Sequence, residues 1–180
     1  MNIRLLISLI AAATTVAVLS GCAAPFPVYS AAGKNVAAVR ELPRPLQVRA
    51  VSGSQSNATC RLVPIIPDGG KTYADYVRHA FDEEITMAGR PAGGSPLEVS
   101  LKLIKVDVDC GILEGAWVFD VELTVGRQAP VALRIQRPFD GNYIGTIVVD
   151  RATKAFVPSV QDLVQAVLRH PAMQAAARAI

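Results

Sequence analysis

The sequence predicts an α+β domain: an antiparallel sheet of three to five strands with two helices packed on one face. Apolar and polar residues alternate through successive segments between 97 and 135, the period of half-buried strands. Segments near 73–88 and 156–168 instead repeat apolar residues every three to four positions, the period of a helix with one buried stripe. The strands are grouped between the helices, a grouping that marks α+β architecture.

Composition narrows the function classes. The chain has 180 residues, 51% hydrophobic and 18% charged, which excludes disorder for most of its length. A formal charge of +3 is too small for a nucleic-acid-binding surface. No sequence motif requires a cofactor.

The elements begin with a leader. Arg4 precedes the uncharged run Leu5–Leu19, and Leu19-Ser20-Gly21-Cys22 follows. A basic start, an apolar stretch and small residues before a cleavage point describe a secretory signal peptide over residues 1–21. The run is too short for a good membrane-spanning helix. The tetrapeptide resembles the lipobox of bacterial lipoproteins. That resemblance implies cleavage before Cys22, a diacylglyceryl group on its thiol and an acylated amine. With two or more chains, anchoring is stable, because each buried CH₂ contributes about 0.8 kcal/mol. Ala23 stands where an Asp in enteric lipoproteins tends to retain the protein at the inner membrane. The resemblance therefore implies the outer membrane, with the domain facing the periplasm.

Residues 22–44 form the anchored tether and N-terminal segment. Ala23–Ser30 reads as tether by its prolines, and Ala31–Arg44 is ambiguous. A single domain is expected over 45–180. Leu46, Val48 and Ala50 alternate in a first strand near 45–52, and Cys60–Ile66 is a possible edge strand because Pro64 cannot donate to a central ladder. Thr72 and Asp75 resemble a capping box ahead of a helix with Tyr73, Val77, Ala80, Phe81, Ile85 and Ala88 on its buried face, closed by Gly89 and Pro91. Leu97–Leu103 and Ile104–Val108 alternate in opposite phases, which predicts a β-bulge at Leu103–Lys105. Two further alternating strands, 117–125 and 131–135, complete a meander. Residues 137–145 read as a loop, and Ile147–Val149 as strand or helix approach. The last long helix carries Phe156, Val160, Leu163, Val164, Val167 and Leu168, with Pro158 in its first turn or at a kink. His170-Pro171 stops it, and a short helix ends the chain. This layout resembles small outer-membrane lipoproteins, including the lipopolysaccharide-assembly lipoprotein. No domain motif matches residue by residue, so the resemblance carries no functional residues.

With Cys22 lipidated, Cys60 and Cys110 remain. In an oxidising compartment two leftover thiols favour a disulfide over a redox pair or metal site, because no Cys-x-x-Cys exists and the two histidines are not spaced as ligands. Closing that loop stabilises the fold by about 4 kcal/mol on the chain-entropy model.

No catalytic motif stands out. The run Asp82-Glu83-Glu84 reads as a solvated helix face, since adjacent positions point about 100° apart. Asp107, Asp109, Asp120 and Glu122 read as a charged outer sheet face, with a divalent-cation site as the competing reading. Two apolar pairs sit in turn contexts and are candidate partner contacts: Ile112-Leu113 between Gly111 and Gly115, and Tyr143-Ile144 in the long loop. Packing into the core is the competing reading for both. The expected role is a non-enzymatic binding or assembly protein. Its partners would be the membrane, through the lipid, and an envelope protein or glycolipid. A periplasmic enzyme with a site formed only in three dimensions, and a small-ligand-binding lipoprotein, are the alternatives.

Overall fold

The computed structural model describes residues 27–53, 58–67, 71–89 and 93–179. The expected leader, residues 1–21, and the expected lipidation site Cys22 lie outside the described residues. In chain order the elements are α1 (Gly33–Arg40), β1 (Leu46–Gly53), β2 (Ala58–Cys60), β3 (Val63–Ile65), α2 (Tyr73–Ala88), β4 (Leu97–Cys110), β5 (Glu114–Val125), β6 (Val131–Asp140), α3 (Gly145–Arg169) and α4 (Pro171–Arg178). The fold is α+β, with a four-stranded sheet in the order β1-β4-β5-β6 and a separate β2-β3 hairpin.

Two features correct the expected architecture. The sheet is mixed: β4, β5 and β6 form the antiparallel meander, but β1 runs parallel to β4, pairing Leu46 with Leu97 and Val48 with Val99. A parallel neighbour needs a long crossover, and the hairpin plus α2 supply it between β1 and β4. Alternation reports which face is buried and is blind to strand direction. There are also four helices among the described residues rather than two. The ambiguous segment after residue 31 holds α1, which packs against α2 and α3. Residues 27–30, read as tether, have no regular secondary structure, yet Tyr29 is buried in the core, as are Val39 and Leu42.

Several local expectations hold. Thr72 Oγ1 accepts from the Asp75 amide while Asp75 accepts from the Thr72 amide, closing the capping box at the start of α2. The register of β4 against β5 shifts between Leu103 and Lys105, and buried positions change from 97, 99, 101, 103 to 106 and 108 across that shift. β6 continues to Asp140 through Pro138, past the point where a loop was expected. Proline is tolerated there because β6 is an edge strand with one unpaired side. α3 starts at Gly145 and carries Pro158 in its interior, so residues 147–149 are helical.

The core lies between the inner sheet face and the helices, with α2 over β1 and α3 over β5 and β6. Rings fill it: Trp117 packs edge-on against Phe156 at 4.8 Å, and Phe156 meets Tyr76 at 5.0 Å and Tyr73 at 5.7 Å. The Trp117 indole N–H donates to the Ala152 carbonyl at 2.7 Å, so its one polar atom is satisfied.

Candidate functional site: an exposed apolar end

Three turns meet at one end of the sheet. The first joins β2 to β3, where Cys60 pairs with Val63 and leaves Arg61-Leu62 as a two-residue loop. Both residues have positive φ, 49° and 68°, as a type I′ hairpin turn requires. The second is the β4–β5 turn with Ile112 and Leu113. The third joins β6 to α3 through Asn142, Tyr143 and Ile144.

Polar bonds bind these turns together. The Cys60–Cys110 disulfide, with Cα atoms 5.5 Å apart, ties the hairpin to the end of β4. Arg61 Nε donates to the Cys110 carbonyl at 2.9 Å, and its Nη2 reaches the Asn142 carbonyl at 3.4 Å. The Gly141 amide donates to the Leu113 carbonyl at 3.0 Å. A Cβ on Gly141 would lie 2.6 Å from both the Glu114 nitrogen and the Gly111 oxygen, so only glycine lets the backbones approach so closely. Arg151 Nη1 donates to the Gly141 carbonyl at 2.7 Å, and Asn142 Oδ1 accepts from the Ile144 amide at 2.8 Å.

This bracing holds apolar side chains out in water. Leu62 is 94% exposed, Leu113 91%, Tyr143 75% and Ile112 60%, and Ile144 and Ile147 are exposed to a lesser degree. The two candidate pairs, Ile112-Leu113 and Tyr143-Ile144, are therefore both exposed and lie at the same end. Leu62 and Ile147 escaped the sequence reading. Leu62 was hidden because Cys60–Ile66 looks like one continuous strand, and the turn inside it carries no glycine or asparagine. Ile147 was absorbed into the apolar triplet Ile147–Val149, of which Val148 and Val149 are buried in the core and Ile147 alone is exposed.

Elsewhere the charged clusters resolve into pairs. Asp107 meets Lys105 at 2.8 Å, Asp120 meets Arg134 at 3.2 Å and Glu122 meets Lys102 at 3.4 Å on the outer sheet face. Among the described residues no three His, Cys, Asp or Glu side chains converge as a metal site would need. Asp82 and Glu83 pair with Arg78 and His79 one turn away, as a solvated face should. Glu84 corrects that reading, because it is fully buried. Its Oε1 accepts from the Tyr29 hydroxyl at 2.6 Å, the Ala32 amide at 2.9 Å and Asn35 Nδ2 at 3.2 Å. Every donor comes from the N-terminal segment, so Glu84 latches that segment onto α2. Burial and the neighbouring carboxylate push the Tyr29 hydroxyl well above the usual tyrosine range, and burial pushes Tyr76 up to about 12. Both hydroxyls therefore stay protonated donors, Tyr76 to the Pro27 carbonyl at 2.7 Å. His170 caps α4, its Nδ1 accepting from the Ala172 amide at 3.2 Å.

No helix among the described residues is long and apolar enough to cross a membrane. In comparisons with known proteins, the chain matches no family model and no curated protein.

Proposed function

We propose that this protein is a lipid-anchored envelope lipoprotein, held at the outer membrane and facing the periplasm, that acts by binding rather than by catalysis. The observation that carries the binding role is the braced apolar end: Leu62, Ile112, Leu113 and Tyr143 on three cross-linked turns. Exposed aliphatic side chains are unfavourable in water, and contiguous groups of them mark contact surfaces. Holding them on rigid turns lowers the ordering entropy a partner must overcome. The lipobox Leu19-Ser20-Gly21-Cys22 supports the anchor. The Cys60–Cys110 bond supports an oxidising compartment.

Intact-mass and N-terminal peptide analysis of the protein from its native host tests the anchor. The expected result is a chain that starts at Cys22 and carries diacylglyceryl and acyl groups. A bare thiol at position 22 with the leader still attached overturns both the location and the role.

A further inference from the structure

The geometry points to a bilayer surface as the occupant of the apolar end: the domain stands on the membrane with Leu62, Ile112, Leu113 and Tyr143 in the interface. This inference rests on the lipid anchor at Cys22 proposed above.

The path of the N-terminal segment carries it. Read backwards from α1, the chain climbs α2. Arg40 donates to the Met87 and Ala88 carbonyls at the last turn of α2, Ala32 and Asn35 reach Glu84, and Pro27 receives the Tyr76 hydroxyl in the first turns. The first turn of α2 lies toward the apolar end, because Tyr73 donates to the Ile65 carbonyl in the hairpin that carries Leu62. At Pro27, the first described residue, the chain has therefore climbed α2 toward the exposed turns and away from the β5–β6 turn at the opposite pole.

Distances agree with this direction. Tyr76, which holds Pro27, packs against Phe156. Phe156 lies eleven residues into α3, so at 1.5 Å per residue it sits about 16 Å below the start of α3 at the apolar end. The five steps from Pro27 back to Cys22 span at most about 17 Å when fully extended. The anchor can just reach the plane of the exposed turns and cannot reach far beyond it. A bilayer holding Cys22 therefore meets this end first. The side chains there are those an interface accepts, aliphatic tips with one tyrosine. The charged groups at the turns nearly balance, Arg61 and Arg151 against Glu114 and Asp140, so apolar insertion rather than attraction to anionic lipid drives the contact.

The test uses the mature lipidated protein reconstituted into vesicles of phosphatidylethanolamine and phosphatidylglycerol, with and without brominated acyl chains. Single variants Leu113→Trp and Tyr143→Trp report the apolar end, and Gln128→Trp reports the opposite pole; buried Trp117 is the common background. We expect brominated lipid to quench the added fluorescence at positions 113 and 143 at least two-fold more than at 128, with little change from low to high salt. Replacing Leu62 and Leu113 by Ser should leave the protein folded and vesicle-bound but weaken quenching at 143. Vesicle-bound, lipidated protein with equal quenching at 113 and 128 overturns the orientation and leaves the anchor intact. So does a crosslink from position 113 to a protein in cells, accompanied by no quenching. Protein that carries no lipid and does not float with vesicles overturns both readings.

Discussion

Leu62 sits in a left-handed conformation that a leucine disfavours by about 1 kcal/mol or more. Its side chain is almost entirely in water, so no packing offsets the strain. A turn selected only for folding would carry Asn-Gly or Asp-Gly at these positions. The residue present is thus poor for the hairpin and suited to an apolar contact. Leu62→Asn should raise the stability of the vesicle-free protein by about 0.5–1 kcal/mol, since Asn tolerates positive φ. Thermal unfolding would register this as a rise of roughly 1–4 °C. A fall in melting temperature would show that the side chain is needed for the fold. Glu84 teaches a different lesson at the same scale. Three adjacent acids look solvated, but Glu84 falls four residues after Ala80 and seven after Val77, on the buried stripe of α2. Helical spacing contained that information, and charge alone concealed it.

Among the elements, the β2–β3 hairpin depends most on covalent help. Two three-residue strands cannot hold together in water by pairing alone. Its attachments are the disulfide to β4, the Arg61 bonds to the neighbouring turns, the Tyr73 bond to the Ile65 carbonyl and the burial of Ala58, Cys60 and Ile65 in the core. Replacing Cys60 and Cys110 together by Ala should cost about 4 kcal/mol on the chain-entropy model. That would lower the melting temperature by roughly 8–16 °C. Wild-type protein unfolded in reductant should match the double variant, and an unchanged melting temperature would remove the bond from the account of the apolar end. β6 shows how element boundaries escape a reading by composition. Pro138 and Asp140-Gly141 look like a loop, yet an edge strand needs ladder bonds on one side only. The bulge in β4 was legible because a one-residue slip inverts the burial phase of every residue after it.

At the scale of the molecule, Asp162 joins three elements. On α3, it accepts from Lys34 of α1 at 2.8 Å and from Arg137 of β6. Partial burial pushes its carboxyl up, but the two cations together outweigh this and hold it below the usual carboxylate range. The hydrogen bond from Lys105 likewise holds Asp107 low, and the Thr72 side chain holds Asp75 low. A depressed folded value means the stabilisation is present above the unfolded pKa of about 3.9 and is lost as pH falls through the folded value. The protein should therefore weaken in acid below about pH 4. Asp162→Asn should be less stable at neutral pH by about 1 kcal/mol or less, as suits a partly exposed pair. Its unfolding midpoint should also fall less steeply between neutral and acid pH. Urea melts at several pH values would check this, and parallel curves for the two proteins would mean that Asp162 has no part in the acid response.

Burial periodicity settled the helix α2, the strands β4–β6 and the bulge, and residue types settled the capping box, because each is specified by neighbours within a few residues. The pairing of Cys60 with Cys110 followed from counting thiols. Whether β1 runs parallel to β4, and whether α1 docks on α2 through Glu84, depended on contacts between residues some fifty positions apart, as in the Tyr29–Glu84 bond. Local patterns carry no record of such contacts. The same holds for the apolar end: along the chain Ile112-Leu113 and Tyr143-Ile144 read as two separate candidate contacts, and Leu62 as part of a strand. They become one surface only when the hairpin, the sheet and α3 close on one another, because long-range packing alone decides which turns become neighbours.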